Sequence, residues 1–511
     1  MNTIESLPKE RVQRWTLVAM ILASGTVFLQ GSVLNVALPA IERSLETGLA
    51  GLQWTVNGYL LTLSTLLILG GALGDRYGRR RMMFIGLMSF GVAALICGLA
   101  PAQGWLIAAR ILQGAAGALL VPGALAILRA TYTDPQARGE AIGHWSGWSG
   151  ITTVIGPLVG GWMVDTLSWR WAFFVTLPLI AVTAWLMIRY VPESRAEEER
   201  PLDPLGAVVA MVGLSGVVYA LIQGPNVGWT RPGVWLSGLT GVIGLLLFPW
   251  IEARVPDPML PLSLFRRRNF TGANLTTLGV YFALQGTNFF LVLYLQNVLG
   301  YSAFIAGLIL APTSLILLAL SSRMGRWAEA YGARRFMTFG PLLVAVGVFL
   351  LSLIHPDVSL WAGVLPGVVV FGLGLAGTVA PLTDTVMSAA PEEHSGVAAA
   401  FNNVVSRIAG LLAVAGLGVV VSLSFDAALN ARLAPLTMTP ETQAQITKIS
   451  ENPTGAVDTD ALPADVTQAV QAAYTGAFRR VMWVNAGLAA AGGLLAAITI
   501  RRKQDTSPDE P

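Results

Sequence analysis

Two arginines lie inside long apolar segments, at Arg110 and Arg407. A guanidinium near the middle of a membrane-spanning helix costs about 2.5–3.5 kcal/mol on insertion scales, so such residues usually face a cavity and take part in function. Arg110, Gly114 and Gly117 share one helical face, and Gln113 borders it. We interpret Arg110 and Gln113 as substrate or coupling residues. The alternative is a structural arginine that reaches the membrane interface or binds backbone carbonyls.

Amide and aromatic side chains in other apolar segments supply further candidate binding groups. Gln285 and Asn288 lie in one segment, and Asn403 precedes Arg407 in a later one. Such amides line cavities or hydrogen-bond neighbouring helices, and for any single residue the second role is the more common. Trp148 is an aromatic candidate for an apolar pocket, although tryptophan also faces lipid.

The composition requires these residues to be carried by membrane-spanning helices. Of 511 residues, 54% belong to the set AVILMFWYC and 12% are charged, and the mean hydropathy is +0.63. The charged fraction is about half of that in a soluble domain, and disordered chains are polar instead. The single cysteine excludes a disulfide framework, and a net charge of +3 argues against nucleic-acid binding. The chain is therefore expected to be a polytopic membrane protein.

Fourteen segments have the roughly 20 mostly apolar residues that a helix needs to cross a bilayer. These predicted spans are 15–38, 52–73, 82–100, 105–128, 141–164, 171–188, 205–223, 234–251, 271–294, 303–320, 336–354, 361–383, 396–422 and 481–500. Residues 1–14 are polar, and the first apolar run is longer than the core of a signal peptide, so we expect no cleavable leader. The predicted fold class is an all-α polytopic membrane protein with 14 transmembrane helices.

Lysine and arginine residues indicate the orientation of the spans. If the N-terminus is inside, the inner segments carry 23 of the 32 Lys and Arg residues and the outer segments carry 7. Because basic residues favour the cytoplasmic side, we expect both termini to be cytoplasmic and the chain to lie in the inner (plasma) membrane. The polar stretch 424–478 then becomes an outer loop, expected to be mobile and in part helical.

Two basic loops carry the same pattern 254 positions apart. Residues 71–81 read GALGDRYGRRR and residues 325–335 read GRWAEAYGARR, with five of eleven positions identical and Asp75 matched by Glu329. Both loops lie on the predicted inner side, so the two halves run parallel, as in transporters built from two repeats. The predicted domains are a six-helix bundle at 1–190, an inserted helix pair with its linkers at 191–268, a second six-helix bundle at 269–500 and a tail at 501–511.

Motifs along the whole chain resemble those of the major facilitator superfamily, in particular its fourteen-helix drug:proton antiporter branch. Residues 71–81 are similar to the superfamily's loop signature, and 35–39 (NVALP) to a signature of the branch. Residues 110–117 resemble the motif of span 4, residues 147–161 the antiporter motif of span 5, and residues 169–171 the start of span 6. The resemblance implies a major-facilitator fold with 6+2+6 helices, which exports small molecules by alternating access between two states.

The resemblance also implies roles for individual residues. It adds Asn35 to the substrate or coupling residues. It implies a gating loop formed by Gly71, Asp75, Gly78, Arg79 and Arg80. It implies a helix-packing motif formed by Gly147, Gly150, Gly156, Pro157, Gly160 and Gly161, in which glycines permit close contact and proline bends the helix. Asp75 would lock one state, or would simply pair with Arg79 or Arg80.

The chain departs from the branch at one position. The branch typically carries an aspartate five residues before the asparagine of the NVALP motif, and this position is Gln30, which cannot titrate. No Asp or Glu lies well inside the predicted spans. Proton coupling would then use Asp165, Asp384, His144 or Asp75, or would be absent; a histidine titrates near neutral pH. Gln30 stays among the candidate coupling residues because of its place in the motif.

These features predict a secondary active exporter of hydrophobic or amphiphilic small molecules and not an enzyme. The sequence has no GxxxxGK[ST] loop for ATP and no cluster of metal ligands, so no cofactor is expected. We expect a monomer that contacts lipid, an amphiphilic substrate and protons, and no nucleic acid. Two buried arginines without a buried acid favour neutral, zwitterionic or anionic substrates over organic dications. A transporter of lipids or amphiphilic metabolites on the same fold, and a non-transporting receptor or scaffold, are the alternatives.

Overall fold

The computed structural model describes residues 8–196, 203–255, 261–356, 358–391, 395–436, 438–451 and 462–500. Within these ranges every regular element is a helix, as the composition predicts. The predicted tail at 501–511 lies outside the described residues.

The helices follow one another with short connections. The first part of the chain forms α1 (Lys9–Leu45), α2 (Leu49–Tyr77), α3 (Arg79–Gly98), α4 (Gln103–Thr131), α5 (Pro135–Thr166), α6 (Trp171–Phe174), α7 (Thr176–Tyr190), α8 (Pro204–Val227) and α9 (Pro232–Glu252). The second part forms a 3₁₀ turn (Leu262–Arg266), α10 (Arg268–Leu293), a π-helical turn (Tyr294–Val298), α11 (Ala303–Tyr331), α12 (Ala333–Leu351), a second π-helical turn (Leu360–Val364), α13 (Leu365–Ser388), α14 (Ser395–Leu433), α15 (Pro440–Glu451) and α16 (Ala464–Thr499).

Each of the fourteen predicted spans coincides with a helical segment, which confirms the predicted fold class. In the described part of the chain, 13 helices are long and apolar enough to cross a membrane. The remaining predicted span, 141–164, is α5, a helix of 32 residues that is rich in glycine. The predicted sixth span consists of α6 and α7, which together run from Trp171 to Tyr190. Most helices extend beyond the predicted spans, because hydropathy marks the apolar core of a helix and not its polar ends.

Local sequence explains where several helices begin. Asp134 accepts a hydrogen bond from the Ala137 N–H at 2.8 Å, and Pro135 occupies the first turn of α5. Ser302 accepts from the Ile305 N–H at 3.3 Å at the start of α11. A short polar side chain at these positions pairs one of the N–H groups that a helix start leaves without a partner.

The two repeated loops have the same backbone form. Gly78 separates α2 from α3 with φ 109°, and Gly332 separates α11 from α12 with φ 95°. Gly78 donates its N–H to the Gly74 carbonyl at 3.0 Å, and Gly332 donates to Ala328 at 2.9 Å. A residue with a Cβ is strained at such φ values, so glycine is needed in both copies. The sequence repeat therefore has a structural counterpart.

The chain groups into two compact units. Unit 1 contains Met1–Ala37, Thr55–Leu214 and Ile243–Pro261, and unit 2 contains Leu38–Trp54, Ser215–Val242 and Leu262–Pro511. In unit 1, α3 packs along α4, and in unit 2, α12 packs along α13 and α10 packs along α16. The predicted division at 1–190, 191–268 and 269–500 stays a prediction.

Much of the predicted outer loop, 424–478, consists of helix. Helix α14 continues to Leu433, α15 follows, and α16 begins at Ala464. These parts share a buried apolar core that includes Phe425, Leu429, Ile449 and Val470. The helical content was expected in part, whereas the shared core corrects the expectation of a mobile excursion. We call this assembly (residues 424–436, 438–451 and 462–478) the cap.

Candidate functional site

Arg110 is sealed inside unit 1. Its side chain is 1% exposed and its Nε donates to the Thr55 carbonyl of α2 at 3.0 Å. Its Nη1 donates to Gln113 Oε1, and the guanidinium carbon lies 4.2 Å from the centroid of the Tyr59 ring. The bond to a backbone carbonyl is the one expected of a structural arginine. The burial of the side chain excludes the other structural alternative, an arginine that reaches the membrane interface. Each of these partners is neutral, so among the residues that the structure describes the guanidinium has no carboxylate partner.

Glycine allows α4 to approach α2 closely next to this charge. A Cβ added at Gly114 would collide with the Tyr59 carbonyl and the Thr62 hydroxyl, and one at Gly117 would lie 3.4 Å from the Tyr59 hydroxyl. Thr62 also donates to the Ile111 carbonyl at 2.8 Å. The predicted glycine face of span 4 thus lies against α2, which supplies two of the groups that contact Arg110, the Thr55 carbonyl and the Tyr59 ring.

Gln30 joins α1 to the junction of α6 and α7. Its side chain is fully buried, its Nε2 donates to the Ala172 carbonyl at 3.2 Å, and its Oε1 accepts from Thr176 Oγ1 at 3.5 Å. The amide is therefore used as donor and as acceptor. A carboxylate would lose the donor, whereas a protonated carboxylic acid would keep one.

The span-5 glycines divide into two groups within unit 1. A Cβ at Gly160 would lie 3.1 Å from the Val33 Cα, and one at Gly156 would also collide with α1. By contrast, a Cβ at Gly147 or Gly150 would meet nothing within 4 Å. The second half of α5 therefore packs closely against α1, and the first half does not use its glycines for contact.

We predict that Gly160→Val destabilises the protein by about 1–3 kcal/mol, the usual cost of overpacking. The added side chain would meet the α1 backbone. The measurement is thermal unfolding of the purified chain. Gly150→Val is the matched control on the same helix, and it should unfold close to the wild type. Equal losses in both variants would contradict the packing described here.

The remaining residues of the predicted gating loop and helix-packing motif, and two further candidate residues, lie in different surroundings. Gly71 faces Pro122, with 3.5 Å between an added Cβ and that ring. Pro157 and Gly161 are buried within α5. Trp148 is 57% exposed and does not join Arg110 in the protein interior. Asn35 is half-buried on α1.

The predicted gating loop is held by the segment that follows α7. Asp75 pairs with Arg79 at 2.8 Å, which is one of the two partners expected for it. Glu193 accepts from the N–H groups of Arg80 at 3.0 Å and Arg81 at 3.1 Å. A carboxylate at this position pairs the first N–H groups of α3 and meets the positive end of its dipole. Glu193 was not predicted from the sequence, because its neighbours in the chain carry no signal for this contact.

In unit 2, α10 and α14 bring several predicted residues together. Tyr281, Gln285 and Asn288 share one face of α10 at spacings of four and seven residues. Arg407 of α14 interacts electrostatically with Tyr281. A Cβ at Gly410 would lie 2.8 Å from Gln285 Cγ, so glycine gives the glutamine its space. A half-buried guanidinium, a phenol and two amides thus lie along this contact.

Two adjacent asparagines on α14 behave differently. Asn402 is buried and donates to Asn274 Oδ1 at 3.1 Å and to Thr277 Oγ1 at 2.7 Å. Asn403 is exposed and donates to the Ala399 carbonyl of its own helix at 3.2 Å. Asn402 therefore links α14 to α10, while the candidate Asn403 keeps its side chain accessible.

The predicted protonation candidates lie at accessible positions. Asp165 near the end of α5 and His144 on the same helix are both exposed. Asp384 on α13 is also exposed, and it interacts electrostatically with Glu329, the acid of the second repeated loop. The structure thus brings Asp384 next to a second carboxyl group, and it leaves the other two candidates apart from Arg110.

Buried acids do occur, at the ends of helices. Glu42 is 2% exposed, lies inside α1 and accepts from Asn297 Nδ2 at 3.1 Å. Asp203 and Glu252 are also buried, at the start of α8 and the end of α9. Glu42 lies outside the predicted first span but inside a helix, and the three positions correct the expectation that no acid is buried. Their burial was not predicted because each acid lies outside the apolar stretch that defines its span.

Helices long and apolar enough to cross a membrane, with internal arginines, amides and close glycine contacts, are those of a polytopic membrane protein. The Major Facilitator Superfamily model matches residues 20–414, which is most of the chain. The chain belongs to this family.

Curated relatives and solved structures agree with this assignment. "Multidrug resistance protein Stp" of Mycobacterium tuberculosis (strain CDC 1551 / Oshkosh) is 35% identical over 423 residues, which cover 83% of this chain and 78% of Stp. "Multidrug efflux pump LfrA" of Mycolicibacterium smegmatis is 28% identical and covers 97% of this chain and 98% of its own. A bacterial homologue of the human lysosomal transporter Spinster has a TM-score of 0.66 and 18% identity, over 96% of this chain and 97% of that one. The last likeness shows the shared fold alone.

Proposed function

We propose that this chain exports hydrophobic or amphiphilic small molecules across the inner membrane by alternating access. The observation that carries the proposal is the sealed Arg110, whose described partners are a carbonyl, an amide and an aromatic ring. A buried charge without an opposite charge is strongly unfavourable, so a chain that only needed stability would gain from an apolar residue there. Relatives named for multidrug resistance and multidrug efflux support the same function.

The proposed substrates are neutral, zwitterionic or anionic. Each unit carries an arginine within its spans, Arg110 in unit 1 and Arg407 in unit 2. The buried acids Glu42, Asp203 and Glu252 lie at helix ends, and none is among the described partners of Arg110. In a medium of low dielectric constant a dication is repelled by such a charge, whereas a neutral molecule is not.

The proposed energy source is the proton gradient, with coupling outside position 30. Gln30 cannot titrate and both of its polar groups are engaged in unit 1. Asp384 is the favoured proton carrier because it is accessible and lies beside Glu329. We further propose a monomer with both termini in the cytoplasm, where most of its loop arginines would lie.

The test of this function is resistance of cells that express the chain in an efflux-deficient bacterial host. We expect the inhibitory concentration of chloramphenicol, a neutral amphiphile, to rise severalfold over that in cells with an empty vector. The inhibitory concentration of pentamidine, an organic dication, should stay unchanged. Protection against pentamidine alone would contradict the proposed substrate class, and protection against neither compound, at normal expression, would contradict export of this class.

A further inference from the structure

Two buried acids that the proposed export mechanism does not use lie at the ends of α8 and α9. Asp203 directly precedes the first residue of α8 and is 7% exposed. Glu252 is the last residue of α9 and is 1% exposed. The start of α8 and the end of α9 both belong to unit 1. A buried carboxyl group is costly to keep, so the purpose of two of them at one place requires an explanation.

Glycine brings the two carboxyl groups into one small space. A Cβ added at Gly206 would collide with Asp203 Oδ2 and would lie 2.7 Å from Glu252 Oε1. Both oxygens therefore border the space that the missing side chain leaves open. The helices stay close further along, since a Cβ at Gly244 would lie 3.0 Å from the Gly213 Cα. The close approach of the two backbones thus holds the acids side by side.

The two oxygens of Asp203 have different surroundings. Oδ1 accepts a hydrogen bond from the Gly206 N–H at 2.8 Å and so caps the start of α8. Oδ2 is buried, and no residue in the described part of the chain donates a hydrogen bond to it. A buried acceptor without a donor is unfavourable. Because Oδ2 borders the same space as Glu252 Oε1, the Glu252 carboxyl group is placed to supply the missing donor.

The helix ends determine which acid carries the charge and which carries a proton. Two carboxylates this close in a buried position repel each other, so one of them is favoured in its protonated form. The positive end of the α8 dipole and the Gly206 N–H stabilise a charge on Asp203. The negative end of the α9 dipole disfavours a charge on Glu252. A protonated Glu252 also has the O–H group that Asp203 Oδ2 needs.

The other charged groups of the two helices do not offset this repulsion. The sequences of α8 and α9 contain no Lys, Arg or His, and their other titratable side chain, Tyr219, belongs to unit 2. Arg254 follows α9, but its guanidinium stacks on the Trp250 ring at 3.6 Å and donates to the Trp250 carbonyl at 3.1 Å. The described contacts of Arg254 are thus with Trp250 and not with either acid.

From the shared space, the buried Asp203 oxygen that lacks a donor and the opposite helix ends, we propose that Asp203 and Glu252 form a proton-binding site. The proton comes from the water at this end of the helices and binds to Glu252. The Glu252 O–H then donates to Asp203 Oδ2 and joins the end of α9 to the start of α8. At alkaline pH Glu252 returns the proton to water, and the two carboxylates repel each other. The site lies outside the residues that the proposed function assigns to coupling, so the two proposals can fail separately.

The direct test is infrared difference spectroscopy of the full-length chain in lipid nanodiscs, which detects the carbonyl stretch of a protonated carboxyl group. We expect the wild type at neutral pH to show the band of one such group that Glu252→Gln lacks. Asp203→Asn should also lack it, because the amide would donate to Glu252 and the neighbouring charge would be gone. Raising the pH should remove the band from the wild type. An unchanged band in a folded Glu252→Gln or Asp203→Asn variant would overturn the proposal.

Thermal unfolding gives a second measurement with a defined sign. The native chain holds a proton that the unfolded chain releases below neutral pH, so the stability of the wild type should fall as the pH rises. Glu252→Gln keeps an amide donor for Asp203 at every pH. Between pH 6 and pH 9 the unfolding temperature of the wild type should therefore fall more steeply than that of Glu252→Gln. Parallel profiles of the two proteins would overturn the proposal.

Asp134→Asn is the matched control. Asp134 makes the same capping bond at the start of α5, to the Ala137 N–H at 2.8 Å, but its side chain is exposed. The control should keep the wild-type infrared band and the wild-type pH profile of stability. An equal loss of the band in Asp134→Asn would overturn the assignment to Asp203 and Glu252.

The competing occupant of a carboxyl pair is a metal cation, and unfolding in calcium and in EDTA distinguishes the two. We expect no effect of either addition. A calcium-dependent rise in the unfolding temperature of the wild type that Glu252→Gln lacks would overturn the proposal. The two substitutions are nearly isosteric, so the test remains decisive if one variant does not fold. Export of chloramphenicol, measured in parallel, reports on the proposed function alone.

Discussion

Replacing Arg110 with glutamine should lower the rate of export per folded molecule about a hundredfold. Such a loss equals about 2.7 kcal/mol, and hydrogen bonds to charged groups contribute about 1.5–3 kcal/mol each. The variant removes the charge-assisted bonds to the Thr55 carbonyl and to Gln113 and the contact with the Tyr59 ring. Initial rates of chloramphenicol export from vesicles, divided by the amount of folded protein, provide the measurement.

Two further variants separate the charge from its geometry and from nonspecific effects. Arg110→Lys keeps the charge but cannot reproduce the planar set of donors, so we expect it to recover only part of the activity. Arg43→Gln is the control, because Arg43 is exposed near the end of α1, and its export rate should match the wild type. Suppose that the Arg110→Gln variant yields less folded protein and still exports at the normal rate per folded molecule. That result would make Arg110 a structural residue and would contradict the proposed role.

Replacing Gln30 with glutamate should make both stability and export depend on pH. The two side chains have the same length, so the substitution exchanges only the amide NH₂ for an oxygen. A protonated glutamate can still donate to the Ala172 carbonyl, as the amide does at 3.2 Å. An ionised one cannot donate and places a buried charge opposite a carbonyl, which is strongly unfavourable. We therefore expect the variant to approach wild-type behaviour at acidic pH and to lose stability and export as the pH rises.

Gln30→Leu is the matched control for this variant. It removes the donor without adding a titratable group, and it leaves the Ala172 carbonyl without the Gln30 amide donor, while the Thr176 hydroxyl keeps its bond of 2.8 Å to the Phe173 carbonyl. An orphaned buried polar group costs about 1–3 kcal/mol, and this loss should be the same at every pH. Thermal unfolding and export between pH 5 and pH 8 provide the comparison. A Gln30→Glu profile parallel to that of Gln30→Leu would contradict the hydrogen-bond scheme at position 30.

The positions of the spans and of the repeated loops were predictable from the sequence. Hydropathy marks every segment that must lie in lipid, because the bilayer requires apolar side chains and internally bonded backbone. The glycines at positions 78 and 332 were also predictable, since each of the two repeated loops needs a residue with positive φ at this position. The burial of Arg110 followed from its neighbours, because small residues at helical spacing indicate a close helix contact.

The partners of these residues were not predictable. Thr55 meets Arg110 through its backbone carbonyl, which any residue type would provide. Glu193 reaches the start of α3 from a position 113 residues later in the chain. The buried acid Glu42 lies at the polar end of α1, where hydropathy is uninformative. The core of the cap forms where one face of α15 meets α14 and α16. The sequence of a short amphipathic helix shows which of its faces is apolar but not which helices will cover that face.

Uphill movement of chloramphenicol by the purified chain in proteoliposomes is the most direct test of the central claim, which is proton-coupled export that depends on Arg110. With the lumen more acidic than the bath, we expect molecules inserted with their cytoplasmic side outward to raise the lumenal drug concentration above that of the bath. A protonophore and the Arg110→Gln variant should each abolish this accumulation. The claim would be contradicted if the drug concentrations in the lumen and the bath became equal while the pH gradient persisted. In that case the wild type and Arg110→Gln would reach equality at the same rate.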